Sequence, residues 1–215
     1  MNTAFNYNVA FQNKRWLNSV EAINILESYI EEDEFTTAAG LRANRKINLD
    51  SQAVAEGRLF DPLISATAGW LLVHDIEVVT AVPHGGNRFM APAARLAGLP
   101  YALFTKDMHG RLSPGEQSPG GLKALYGSGK KGIGEDVSST RTSIAQFAGA
   151  LGLENVLGLS MVDSGYDYPG VSTLTEAREF SEHYPELPPA HIDTGFACDA
   201  LIKYPLGLWV HQAKG

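Results

Sequence analysis

Apolar residues recur at helical spacing in two early stretches, and then the period changes. Val20, Ile23, Leu26 and Ile30 share one stripe behind Ser19, a residue suited to capping, and this helix is predicted to finish in the acidic run EEDE as a solvated end. Leu59, Leu63, Ala66, Trp70 and Leu71 form a second stripe around Asp61-Pro62. From residue 76 the sequence IEVVTAV is a continuous β-branched run stopped by Pro83, the pattern of a strand buried on both faces. Phe89, Ala93, Leu96 and Ala97 then predict a helix with Pro92 in its first turn, and YALFT (101–105) predicts the next strand. Strand, loop, helix and strand make one βαβ unit, whose right-handed crossover sets the strands parallel.

Between Lys106 and Lys131 no period is visible. These 26 residues are mostly glycine, proline, serine and charge, beyond the roughly 12 to 15 residues at which a structureless loop becomes unusual. The stretch is read as either a lid or binding loop, or a surface insertion. After it the alternation resumes. Ile144, Phe147, Ala148 and Leu151 predict a helix, NVLGLSMV (155–162) a strand, and TLTEAREFSEHY (173–184) a further helix. The C-terminal residues 199–215, broken by Pro205 and Gly207, fit an edge strand or a subunit contact.

Composition narrows the function. With 215 residues, 44% of them apolar, the expectation is a single α/β domain, residues 1–215. The net charge is -7 and the basic residues are scattered, so nucleic acid is not an expected partner and an anionic ligand must be gripped locally. Cys198 is the only cysteine, which rules out an internal disulfide and a thiolate metal cage. The first residues have no basic-then-apolar leader pattern, and no apolar run approaches the ~18 residues of a membrane span. A cytoplasmic protein without membrane contact is expected.

The densest chemistry lies in GIGEDVSSTRTSI (132–144), with acids where a strand should end and hydroxyls where a helix should begin. The first-turn amides of that helix, with Ser138, Ser139, Thr140, Thr142 and Ser143 around them, make a phosphate-sized cradle. Glu135 and Asp136 are placed to accept hydrogen bonds from vicinal hydroxyls or to approach a metal-bound sugar. An isolated Ser-Ser-Thr is most often a simple helix cap. The adjoining acids and the glycine loop at His84, Gly85 and Gly86 favour a ribose phosphate instead.

EDVSSTRTSI resembles the phosphoribosyl pyrophosphate (PRPP) signature of type I phosphoribosyltransferases. Three further stretches resemble the orotate phosphoribosyltransferase branch in family order: EFTTAAGLRANRKINLD (34–50), VVTAVPHGGNRFMAPAARLAGLP (78–100) and FTKDMHG (104–110). The resemblance spans about residues 20–165. It implies a type I phosphoribosyltransferase-like α/β fold: a central parallel β-sheet flanked by helices, with a small N-terminal hood over about residues 1–50 and a flexible catalytic loop at 106–131. It also implies an enzyme, in pyrimidine biosynthesis, that transfers phosphoribose from PRPP to a ring nitrogen of orotate and releases pyrophosphate, with Mg2+ held mainly by PRPP and a homodimer as the working unit. Lys106, His109 and Asp136 would then be catalytic. Glu135, Asp136 and residues Ser138, Ser139, Thr140, Arg141, Thr142 and Ser143 would bind PRPP; His84, Gly85 and Gly86 would hold the pyrophosphate; Arg45 and Ser139 would meet the base.

Several positions depart from that family. Arg141 stands where it has glycine or another small residue, and either adds a phosphate contact or fills the pocket. KKGIG (130–134) replaces a β-branched strand. Ala38 and Ser164 stand where the family has a lysine and an arginine, so that Arg42, Arg45 or Lys46 would have to pair an orotate carboxylate. Other sites are weaker. GSGKKG (127–132) matches a dinucleotide-binding pattern but follows no strand. The histidines lack metal-ligand spacing, His183 and His191 being read as surface residues, and Asp167 and Asp193 have no evident partner. The alternatives are a phosphoribosyltransferase for another base, or a non-catalytic PRPP or nucleotide sensor on the same fold.

Overall fold

The change of period at residue 76 marks where the central sheet begins. The structure is a computed structural model and describes residues 5–37, 39–49, 57–83 and 85–205. In chain order its elements are α1 (Tyr7–Leu17), α2 (Val20–Glu27), β1 (Ile30–Thr36), β2 (Arg42–Ile47), α3 (Phe60–Val73), β3 (Val78–Ala81), α4 (Gly85–Ala97), β4 (Ala102–Lys106), β5 (Leu112–Gln117), α5 (Gly121–Leu125), β6 (Lys131–Ser138), α6 (Thr142–Ala150), β7 (Val156–Asp163), α7 (Leu174–His183) and β8 (Cys198–Lys203). Strands β3, β6, β7 and β8 form a parallel sheet in that order.

Side-chain alternation along the strands builds two cores. Val79 and Ala81 join Leu63, Trp70, Phe89, Met90 and Ala93 of α3 and α4 on one face. Val78 and Ile133 join Ile144, Phe147 and Ala148 of α6 on the other. The weak-looking strand KKGIG is real, because its glycines serve packing. A Cβ on Gly134 would lie 2.2 Å from Met90 Cγ, so bare backbone there lets α4 lie close on β6.

Ser19 caps α2 as expected, its hydroxyl accepting from Ala22 N. The acidic run behind that helix is not a helix end. It belongs to β1, antiparallel to β2, where Glu31 pairs with Lys46 at 3.4 Å and accepts from Asn48 Nδ2. Cross-strand contacts, which no local period reveals, hold this pair of strands together. Pro92 sits deeper in α4 than expected, because the helix starts at Gly85.

The stretch 106–131, expected to lack secondary structure, instead carries β5 and α5. Strand β5 pairs antiparallel with β4, Lys106 facing Leu112, and the five-residue turn between them is tied by Asp107, whose Oδ1 accepts from His109 N and Arg111 N. Strand β4 reaches the main sheet through one parallel bridge, Val79 to Tyr101. Of the C-terminal stretch, β8 is the edge strand. Among the described residues no helix is long and apolar enough to cross a membrane.

Candidate functional site

Strands β3 and β6 are neighbours, yet the helices that follow them pack on opposite faces of the sheet. The connections therefore diverge at the carboxyl ends of these strands, leaving the crevice where open α/β sheets take ligands. Both glycine-rich and hydroxyl-rich stretches converge here. Gly85 opens α4 against Asp136: a Cβ on it would lie 1.9 Å from Asp136 Oδ2. Gly86 lies over the β6 backbone, where a Cβ would be 2.5 Å from the carbonyl of Gly134. His84 and Ala38 fall outside the described residues.

The two acids do not act on one point, since successive strand residues face opposite ways. Asp136 is half-buried on the α4 side. Glu135 is buried under α6, where Ser143 Oγ donates to its Oε1 and its Oε2 has no hydrogen-bond partner. Burial pushes the Glu135 carboxyl up to about 8, against the pull of the Ser143 hydroxyl and helped by the Asp136 and Asp163 charges. At neutral pH it is mostly a neutral acid.

The cradle loop is tightly determined. Ser138 Oγ accepts from Arg141 N, and Thr140 Oγ1 and Thr142 Oγ1 lie 2.7 Å apart, both buried. Ser139 and Ser143 are half-buried. Helix α6, like α3 and α5, has no side-chain cap, whereas α1, α2 and α7 are capped by Asn6, Ser19 and Thr173. Its first-turn amides are thus left for an anion or water.

Arg141 takes a left-handed backbone, φ 65°, which explains why glycine or a small residue suits this position. Its side chain runs to the end of β7, where Nη2 donates to Asp163 Oδ2 at 3.2 Å and Nη1 lies 4.0 Å from Asp167 Oδ1. Asp163 also accepts from Gly165 N and holds His191 Nε2 at 2.8 Å. Burial alone would push Asp163 up, but the His191 hydrogen bond and charge, the Arg141 charge and the Gly165 amide bring it below the usual carboxylate range.

His191 is therefore no surface residue; it is 7% exposed. Its Nδ1 meets Asp167 at 2.9 Å, which gives Asp167 the partner the sequence did not show. His183 is exposed, as expected. Ser164 bonds through both N and Oγ to the carbonyl of Ser138, and a Cβ on Gly165 would lie 1.9 Å from the carbonyl of Ser139. The end of β7 is thus pressed against the cradle.

The remaining predicted residues lie on other elements. Lys106 and His109 are exposed at the β4–β5 turn. Arg45 lies on β2 with a buried, unpartnered Nε, so it keeps a donor for an acceptor oxygen. Among the described residues no group of three His, Cys, Asp or Glu side chains could hold a metal ion. Burial pushes the Cys198 thiol up to about 12, which disfavours its thiolate.

No protein family matches the sequence, and no curated protein matches it. Solved structures do. The orotate phosphoribosyltransferase of Aeropyrum pernix superposes with a TM-score of 0.52 at 15% identity, covering 84% of this chain and 92% of that one. The UMP synthase of Leishmania donovani gives 0.51 at 16% identity, over 86% of this chain and 36% of that one. At such identities the likeness is one of architecture, and the chain has the type I phosphoribosyltransferase fold.

Proposed function

We propose that the protein is a phosphoribosyltransferase that transfers phosphoribose from PRPP to a nucleobase nitrogen, with orotate as the first acceptor to try. One observation carries this reading: the uncapped start of α6, ringed by the hydroxyls of residues 138–143, opens beside Asp136 and Gly85 at the diverging ends of β6 and β3. Helix amides and hydroxyls suit a 5'-phosphate, Asp136 suits ribose hydroxyls, and the start of α4 suits pyrophosphate.

Breaking the anomeric bond builds positive charge on the ribose and negative charge on pyrophosphate, so the site needs charge stabilisation more than a nucleophile. A Mg2+ ion is at home on phosphate oxygens with one carboxylate beside it, and Asp136 is the acid placed for that. It would neutralise the leaving group. Lys106 and His109 stand in water, so they reach the pyrophosphate only when the hairpin closes, over its own site or that of a second copy in a homodimer. Arg45 offers the donor for an orotate carboxylate.

The test is pyrophosphate release from PRPP and Mg2+ with orotate, against a control without base. Orotate-dependent release supports the reading in full. Release with another base keeps the transferase and changes the acceptor. PRPP binding without release under any base would favour the sensor, a role consistent with Arg141 being tied to Asp163.

A further inference from the structure

Asp167, His191, Asp163 and Arg141 form a ring of contacts beside the cradle, at 2.9, 2.8 and 3.2 Å in turn and closed by 4.0 Å between Arg141 and Asp167. They come from distant parts of the chain. His191 sits on a strap held by backbone bonds: Tyr166 N donates to the carbonyl of Pro189, His191 N to that of Tyr166, and Ile192 N to that of Thr140 in the cradle itself. Asp163 is buried, and a buried carboxylate needs partners on both oxygens to stay put. His191 and Gly165 N take one oxygen and Arg141 the other.

Arg141 keeps a backbone that costs a non-glycine residue about 1 kcal/mol. What that conformation achieves is a guanidinium carried to the end of β7, which packs against the cradle, with Nη1 4.0 Å from Asp167 Oδ1. Asp167 is 80% exposed, so water competes for its hold on Arg141. A long side chain of this kind wanders unless its anchor is fixed.

We propose that His191 is a positioning residue of the anion site: by holding Asp163 from the far side, it fixes Arg141 where its guanidinium meets the phosphate of the ligand. The inference rests on the PRPP reading of the cradle. Asp163 is the shared anchor, and the ligand's phosphate takes the place beside Nη1 that Asp167 occupies loosely.

The experiment is calorimetric titration of PRPP with Mg2+ into the full chain, as wild type, His191→Ala, Arg141→Ala, the double variant and His191→Gln. His191→Ala is expected to weaken PRPP roughly tenfold when Arg141 is present and less than about twofold when it is absent, and His191→Gln, which keeps a donor for Asp163, to recover most of the loss. Equal weakening in both backgrounds would mean that His191 only supports the fold, and would overturn the inference while leaving PRPP binding intact. If His191→Ala does not fold, His191→Phe, which keeps a ring in the buried position but has no donor for Asp163, takes its place in the same cycle with the same expected outcome. A wild type that binds neither PRPP, pyrophosphate nor inorganic phosphate would overturn the inference together with the reading beneath it.

Discussion

The carboxyl ends of β6 and β7 and the β4–β5 hairpin carry the two halves of the proposed chemistry, and they are built in opposite ways. At the strand ends, Glu135, Ser138, Thr140, Asp163 and His191 are buried, and contacts from three chain segments hold them. At the hairpin, Lys106 and His109 are exposed, and the turn is held by Asp107 and its ion pair with Arg111, Nε to Oδ2 at 3.2 Å. A group that must define a ligand's position belongs in a packed setting, where misplacement costs energy. A group that must cover the ligand and then release it belongs on an element whose movement costs little.

The contrast breaks first at Gly165. A methyl group there would meet the backbone of Ser139, so Gly165→Ala should destabilise the protein by about 1–3 kcal/mol and abolish PRPP binding, as thermal melts and calorimetry would show. A fully folded variant with unchanged affinity would mean that β7 does not brace the cradle. Lys106→Ala probes the other half. Turnover should fall about 100-fold with PRPP affinity and melting temperature unchanged, because the contact forms only on closure; single-turnover kinetics beside calorimetry separate these. Parallel loss of affinity would place Lys106 in the ground-state site.

Asp136→Asn should weaken PRPP roughly tenfold in calorimetry, as expected for removing a charged partner of a ligand; unchanged affinity would remove its ribose role. Glu135 gives the packed half a pH dependence. Its carboxyl is raised in the folded state, so between the unfolded value of 4.5 and about 8 the native protein holds a proton that the unfolded chain has lost. Stability from this group is complete below that window and declines as pH rises through it. Melting temperatures of wild type and Glu135→Gln at pH 5 and pH 9 would check this. The variant should gain on the wild type at the higher pH, and a constant difference would contradict the buried neutral acid.

Much of this was legible in the sequence wherever the signal was local. A short β-branched run marked β3, the run NVLGLSMV marked β7, Ser19 marked a helix start, and the acids and hydroxyls of residues 135–143 marked the cradle. What escaped depends on partners far along the chain. Strand β5, LSPGEQ, has no strand composition of its own and is held by β4 and by Tyr101 Oη donating to Glu116 at 2.8 Å. His191 lies in an irregular segment, 28 residues from Asp163 and 24 from Asp167, so no window of sequence shows the three together. The left-handed turn at Arg141 was concealed by a residue type that rarely adopts it.

A crystal structure of the full chain with PRPP and Mg2+ would address the cradle most directly. The 5'-phosphate should lie on the first-turn amides of α6 within hydrogen-bond reach of the hydroxyls of residues 138–143, with the ribose beside Asp136 and the pyrophosphate at Gly85. A phosphate bound elsewhere, or none at saturating PRPP, would contradict the assignment of this crevice as a phosphoribosyl site.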